Sequence, residues 1–360
     1  MGTGFGAKPP QMPIEPPAEA GYRGDMTQNE FEAALAAKID GKTKPPGSLG
    51  RIEALAAQVA RLQQSLSPRM ERCLLTIFAG DHGIAAAGVS AFPAEVTRQM
   101  VLNFANGGAA ANVFARANGV DLRVVNAGVK GGDFALEGVL DHPMGEGTDS
   151  FLDGPAMSVA TCEAALETGR KLGRDGDWDA VAFGEMGIAN TSAATLIAHK
   201  MTARPVAELT GRGTGLDDHG LNGKRAILSR AAERTAQIDD PRAVLAEYGG
   251  FEIAMMAGAM LGAASAGRIV LVDGFIATSA ALIAARIEPE ARAAMVFAHR
   301  SAEPGHKAML DALEADPLLD LGMRLGEGTG GVLAWPILRA AVAMLNEMAS
   351  FESAGVSDGT

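Results

Sequence analysis

Five short, largely apolar runs punctuate this chain: Leu74 to Phe78, Leu122 to Val125, Ala180 to Phe183, Ile269 to Val272 and Ala294 to Phe297. They are rich in β-branched residues, and each gives way to small or polar residues. None alternates cleanly between apolar and polar positions. That pattern belongs to strands buried on both faces, as in parallel sheets. Helix-length segments separate them, the clearest being Ala94 to Ala117, Thr191 to His199, Gly250 to Ala266 and Ser279 to Arg286. Alternation of this kind predicts an α/β protein with a doubly wound, mainly parallel, Rossmann-like sheet. Val206 to Leu209 reads as a possible sixth strand, and Gly128 to Pro155 as a long loop.

The ends of the chain read differently. Asn29 to Ala37 and Leu49 to Leu66 have helical apolar spacing, and Leu333 to Met348 reads as a final helix. Together they predict a small helical subdomain. Between the first two, Lys44-Pro45-Pro46-Gly47-Ser48 forces a turn, with Ser48 placed to cap the next helix. The expected division is a loosely attached tail at 1–23, N-terminal helices at 24–68, a large α/β domain at 69–331, and a returning helix at 332–360.

Composition narrows the function. The net charge is −12, which disfavours nucleic acid and anionic membranes. Aromatic residues are only 5%, with 45 glycines, so the core is built from small side chains suited to close helix packing. Gly258 to Gly267 and Gly107-Gly108-Ala109 read as such packing faces. The two cysteines form no CxxC pair, and no apolar run is long enough to span a bilayer. A cytoplasmic protein with reduced thiols is expected.

In an open parallel sheet, ligands bind beyond the carboxyl ends of the strands. The residues there are Gly80-Asp81-His82-Gly83, Gly184-Glu185-Met186-Gly187-Ile188, Asp273-Gly274-Phe275 and His299-Arg300-Ser301. The 184–192 segment offers glycines for close approach and backbone N–H groups for a phosphate. It is neither a Walker loop nor a dinucleotide fingerprint. Near Gly211 to Asp218, Lys224 can neutralise a phosphate, while Asp217 and Asp218 read as first-turn helix residues rather than Mg²⁺ ligands. The six histidines lack zinc spacing, so no metal is expected. Gly326-Glu327-Gly328-Thr329-Gly330-Gly331 sets one carboxylate among small residues just before an apolar helix, as a working acid or base would be set.

Assembled, these segments resemble the nicotinate-nucleotide–dimethylbenzimidazole phosphoribosyltransferase family of cobalamin assembly. The likeness runs from about Lys44 to Glu352. It is carried by Lys44 to Arg51, Gly80 to Gly83, Pro93 to Thr97, Gly107 to Ala109, Gly184 to Thr191, Gly249 to Phe251, Leu271 to Phe275, Ser301 to Glu303 and Arg324 to Gly328. The resemblance implies transfer of 5-phosphoribose from nicotinate mononucleotide to dimethylbenzimidazole, without cofactor or metal, by a homodimer whose site lies near the partner subunit. It implies Glu327 as catalytic base and Glu185 as a second active-site carboxylate. Met186, Gly187, Ile188, Gly213 and Lys224 match the phosphate site, and Ser301, Arg324, Leu325 and Gly326 match further donor contacts. Asp81, Phe92, Val96 and Met100 match the acceptor pocket. Phe92 and Met100 stand where some members carry small or amide side chains, and this apolar pair favours a flat aromatic base. Two alternatives stay open. One is a phosphoribosyltransferase using another aromatic base or a pyrophosphate donor, and the other is a non-catalytic nucleotide or phosphate sensor.

Overall fold

The computed structural model describes residues 26–235 and 238–357; the tail expected at 1–23 lies outside them. Six strands form one parallel sheet: β1 (Cys73–Gly80), β2 (Asp121–Gly128), β3 (Val139–Asp141), β4 (Ala180–Met186), β5 (Ile269–Val272) and β6 (Met295–Phe297). Their order is β3-β2-β1-β4-β5-β6, with the direction of winding reversing between β1 and β4. The five sequence-predicted strands are all present. The sixth is not Val206–Leu209, which is a single helical turn, but β3. β3 is three residues long, too short for a hydropathy signal, and lies within the segment expected to be only loop.

Two apolar layers cover the sheet. On one face the helices Val159–Arg174 and Phe251–Ser265 lie against each other at backbone distance. A Cβ at Gly169, Gly173, Gly258 or Gly262 would fall 1.9 to 2.1 Å from a carbonyl oxygen of the opposite helix. The small-residue face expected at 258–267 is therefore an interlocking contact. The other face is covered by the helices Gln28–Asp40, Arg51–Gln63 and Thr329–Glu347. Phe31, Leu35, Val59, Trp335 and Leu338 share an apolar cluster there with Leu75, Ile77 and Leu271 of the sheet. The chain ends are tied where Thr43 N–H donates to the Ala349 carbonyl at 3.0 Å and Lys42 Nζ to the Met348 carbonyl at 2.6 Å.

Local details depart from expectation in two places. Ser48 does not cap the helix Arg51–Gln63. Gly50 precedes that helix without a side-chain cap, and Glu53 Oε1 accepts from the Leu49 N–H at 2.9 Å instead. The helix expected over Ala94 to Ala117 is two helices, Glu95–Ala105 and Ala110–Asn118, broken at Gly107-Gly108. That break exposes a helix N-terminus to the site described next. Among the described residues no helix is long and apolar enough to cross a membrane.

Candidate active site

A cavity of about 460 Å³ opens beyond the carboxyl ends of β4, β5 and β6. The helix Glu95–Ala105 and the segments around 213 and 324–327 complete its walls. It is large enough for a nucleotide-sized ligand.

Glu327 reaches this cavity through an unusual turn. Gly326, Glu327 and Gly328 have φ of 87°, 62° and 79°, three left-handed residues in succession. A non-glycine residue there is uncommon and needs support from its surroundings. Asp273, just past β5, supplies it. Its Oδ1 accepts from the Gly330 N–H at 2.7 Å and its Oδ2 from the Gly328 N–H at 3.1 Å, pinning the start of the helix Thr329–Glu347. Glu327 Oε2 accepts from the Ala111 N–H at 3.3 Å, in the buried first turn of the helix that begins after the Gly107-Gly108 break. Burial raises the Glu327 pKa and nearby Asp273 adds to the rise, while the Ala111 N–H opposes it. The carboxylate is therefore a better proton acceptor than a solvated one.

Glu185, near the end of β4, is buried at the cavity wall. Burial pushes its pKa up to about 8, with Asp273, Glu252 and Glu327 contributing and the Asn190 side chain opposing as donor to Oε2. At neutral pH Glu185 is thus largely the neutral acid. A Cβ at Gly326 would lie 2.1 Å from its Oε1, so the glycine is what lets the Glu327 turn close over this carboxyl.

The segment after β4 turns into the helix Asn190–Thr202 through Ala189, which has φ of 79° and no capping side chain. The polar side chains at the start of this helix are used otherwise. Asn190 holds Glu185, and Thr191 Oγ1 accepts from Lys224 Nζ at 2.8 Å. The Ile188 N–H donates to Thr97 Oγ1 at 3.1 Å, so it is already engaged. Lys224 stands one layer behind the wall formed by Thr191 and Gly213. Burial pulls its pKa down to about 8, against the attraction of Glu303. Asp217 lies one position earlier than expected, as the N-cap of the helix Asp218–Glu233, accepting from the Gly220 N–H at 2.8 Å, while Asp218 is in the first turn.

Of the residues expected here, Glu327, Glu185, Met186, Gly187, Ile188, Gly213, Ser301, Arg324, Leu325 and Gly326 line the cavity, together with Phe92, Val96 and Met100. Phe92 and Leu325 are exposed at its mouth. Val96 and Met100 share one face of their helix, four residues apart. Asp81 is not in the wall. Its Oδ2 accepts from the Lys130 N–H at 2.9 Å and its carbonyl from the Thr148 N–H at 2.9 Å, so it orders the 128–148 segment behind β1. His82 pairs with Glu252 at 2.7 Å, both wholly buried. Asp273 and His299 stand on the strand-end rim where the sequence placed them, but three roles were not legible there: Asp273 anchors the Glu327 turn, Ala111 donates a hydrogen bond to Glu327, and His299 lies 3.4 Å from Asp273 Oδ1. The Gly-Gly pair at 107–108 was the available signal for the second. Among the described residues no group of three or more His, Cys, Asp or Glu is arranged to hold a metal ion.

Known proteins resemble this chain over most of its length. A family model described as phosphoribosyltransferase matches residues 25–356. A nicotinate-nucleotide–dimethylbenzimidazole phosphoribosyltransferase of Dechloromonas aromatica (strain RCB) is 53% identical over 335 residues, spanning 91% of this chain and 96% of its own. One from Aromatoleum aromaticum is 52% identical over 329 residues, spanning 91% and 96%. A crystal structure of CobT from Thermus thermophilus superposes with a TM-score of 0.89 at 43% identity, covering 92% of this chain and 100% of that one.

Proposed function

This chain belongs to the nicotinate-nucleotide–dimethylbenzimidazole phosphoribosyltransferase family, and from that premise we propose that it moves 5-phosphoribose from nicotinate mononucleotide to dimethylbenzimidazole. The products are nicotinate and α-ribazole 5′-phosphate. The observation that carries this reading is Glu327, a buried carboxylate of raised pKa held by a left-handed turn against the cavity.

The chemistry asks little else of the protein. The donor's glycosidic nitrogen is a pyridinium, and it takes the C1′–N electron pair to leave as a neutral ring. No general acid is required for that departure, and no pyrophosphate has to be neutralised by a metal. One benzimidazole nitrogen attacks C1′ from the opposite face, which turns a β linkage into an α one. The other nitrogen must give up its proton, and Glu327 takes it. General-base help of this kind contributes roughly 10²–10⁴ in rate.

Glu185 suits a different task. As a largely neutral acid it orients a substrate group by hydrogen bonding, and offers little charge to a developing cation. Lys224, reaching the wall through Thr191 beside Gly213, supplies the positive charge for the donor phosphate. Phe92, Val96 and Met100 give the acceptor ring an apolar surface on which to lie. We place this enzyme in the cytoplasm as a homodimer, a state that light scattering on the purified protein tests directly.

Incubation with nicotinate mononucleotide and dimethylbenzimidazole, without added metal, followed by chromatography, tests the reading. Free nicotinate and a new ribotide are expected, at a rate unaffected by EDTA. Recovery of both substrates intact would overturn it. Repeating the assay with purine and phenolic acceptors measures the breadth of the acceptor pocket.

A further inference from the structure

Glu303 also faces the cavity, and nothing in the mechanism uses it. It is 9% exposed and its carboxylate makes no hydrogen bond among the described residues: Oε2 is buried against Gly211, which leaves Oε1 as the oxygen turned to the cavity. A carboxylate oxygen left in that state costs free energy unless a ligand or water supplies a donor. The nearest cations do not meet that need. Lys224 Nζ is directed to Thr191 Oγ1 and Arg324 Nη1 to the Gly213 carbonyl at 3.0 Å, and neither hydrogen-bonds Glu303. Burial raises the Glu303 pKa against the attraction of both.

The carboxylate is held on a fixed segment. The Glu303 N–H donates to Ser301 Oγ at 3.3 Å, and the Ser301 N–H donates to His306 Nδ1 at 2.8 Å. Since Nδ1 accepts, the imidazole proton is on Nε2, which meets Thr278 Oγ1 at 2.9 Å. A Cβ at Gly211 would lie 1.9 Å from Glu303 Oε2, so that residue's lack of a side chain leaves the carboxylate its place. Acceptor sites on rigid supports of this kind read a ligand's geometry.

We infer that Glu303 accepts hydrogen bonds from the vicinal 2′- and 3′-hydroxyls of the donor's ribose, and so selects ribose over deoxyribose. This rests on the proposed donor, nicotinate mononucleotide. Chemically the choice is narrow. The phosphate and the nicotinate carboxylate of that molecule are acceptors, and its pyridinium nitrogen bears no proton. Its diol holds the only hydrogen-bond donors it has at neutral pH. Glu303 stands on the wall shared with Ser301, near the phosphate-site residues Gly213 and Lys224, where a ribose joined to that phosphate passes.

Calorimetric binding of nicotinate mononucleotide and of its 2′-deoxy and 3′-deoxy analogues tests the inference. The parent protein is expected to bind the ribose form roughly 10- to 100-fold more tightly than at least one analogue, as loss of a hydrogen bond to a charged group implies. In Glu303→Ala that ratio should fall to near one, and in Glu303→Gln, which keeps one acceptor oxygen, to an intermediate value. Melting curves establish that the variants fold. An unchanged ratio in folded variants, an equal loss for all three ligands, or no preference in the parent would overturn the inference. Product formation by the parent reports separately on the proposed reaction. Discrimination without product would sink that reaction and leave the role of Glu303 standing, and product without discrimination would do the reverse.

Discussion

Gly184 and Glu327 meet backbone to backbone. A Cβ at residue 184 would lie 2.3 Å from the Glu327 carbonyl carbon, closer than real atoms approach. Strand β4 thus carries a groove into which the turn of the base is seated. Gly184→Ala is expected to push that turn outward, lowering turnover by at least tenfold and stability by about 1–3 kcal/mol through overpacking. Activity and thermal melting of the variant check both effects. A fully active Gly184→Ala protein would show that the seating does not matter.

Glu327→Gln removes the proton acceptor and keeps its shape. Turnover should fall by roughly 10²–10⁴ while KM for nicotinate mononucleotide changes little. Steady-state kinetics with each substrate varied in turn separates the two. Near-normal turnover would assign the base to another group.

Glu185 makes stability depend on pH. Its carboxyl binds a proton more tightly in the folded chain than in the unfolded one. Its stabilising contribution is therefore complete below its ordinary value of 4.5 and lost as pH rises through about 8. Glu185→Gln abolishes that titration, so the variant should gain stability relative to the parent between pH 5 and 8.5 and show no such gain at pH 4. Urea midpoints of both proteins across this range provide the measurement. Parallel curves would mean that Glu185 titrates normally.

Lys224 makes donor binding depend on pH in the alkaline direction. Burial holds its pKa at about 8, so its positive charge is present below that pH and fades above it. KM for nicotinate mononucleotide should rise above pH 8 in the parent. Lys224→Ala should show a KM roughly 10- to 100-fold higher already at pH 7, with a flatter profile. A pH-independent parent KM between 7 and 9 would count against the assignment.

The strand-helix alternation was legible because five of the strands are buried runs with clear polar ends. The edge strand β3 was not, since three residues leave no periodicity to read, and Val206–Leu209 shows the converse error. A four-residue apolar run fits a helical turn as well as a strand. Glu327 and Glu185 stood out as lone carboxylates among glycines. Asp273 did not, because its work is done on backbone N–H groups 55 to 58 residues away, a relation that only the folded chain brings about. Asp81 misled for the opposite reason. It follows a central strand, as a site residue would, but the 128–148 segment covers that strand end and takes up its hydrogen bonds.

The glycine contact between Val159–Arg174 and Phe251–Ser265 has a consequence for how this protein tolerates change. Where side chains interdigitate, one can shrink when its neighbour grows. Here the neighbours are main-chain carbonyls, which no substitution can trim. Inserting or deleting one residue in either helix would swing a larger side chain into the seam and rotate every residue beyond it by a quarter turn or so. The pair therefore acts as a fixed ruler beneath the sheet, and length variation among relatives should collect in the loops on either side of it.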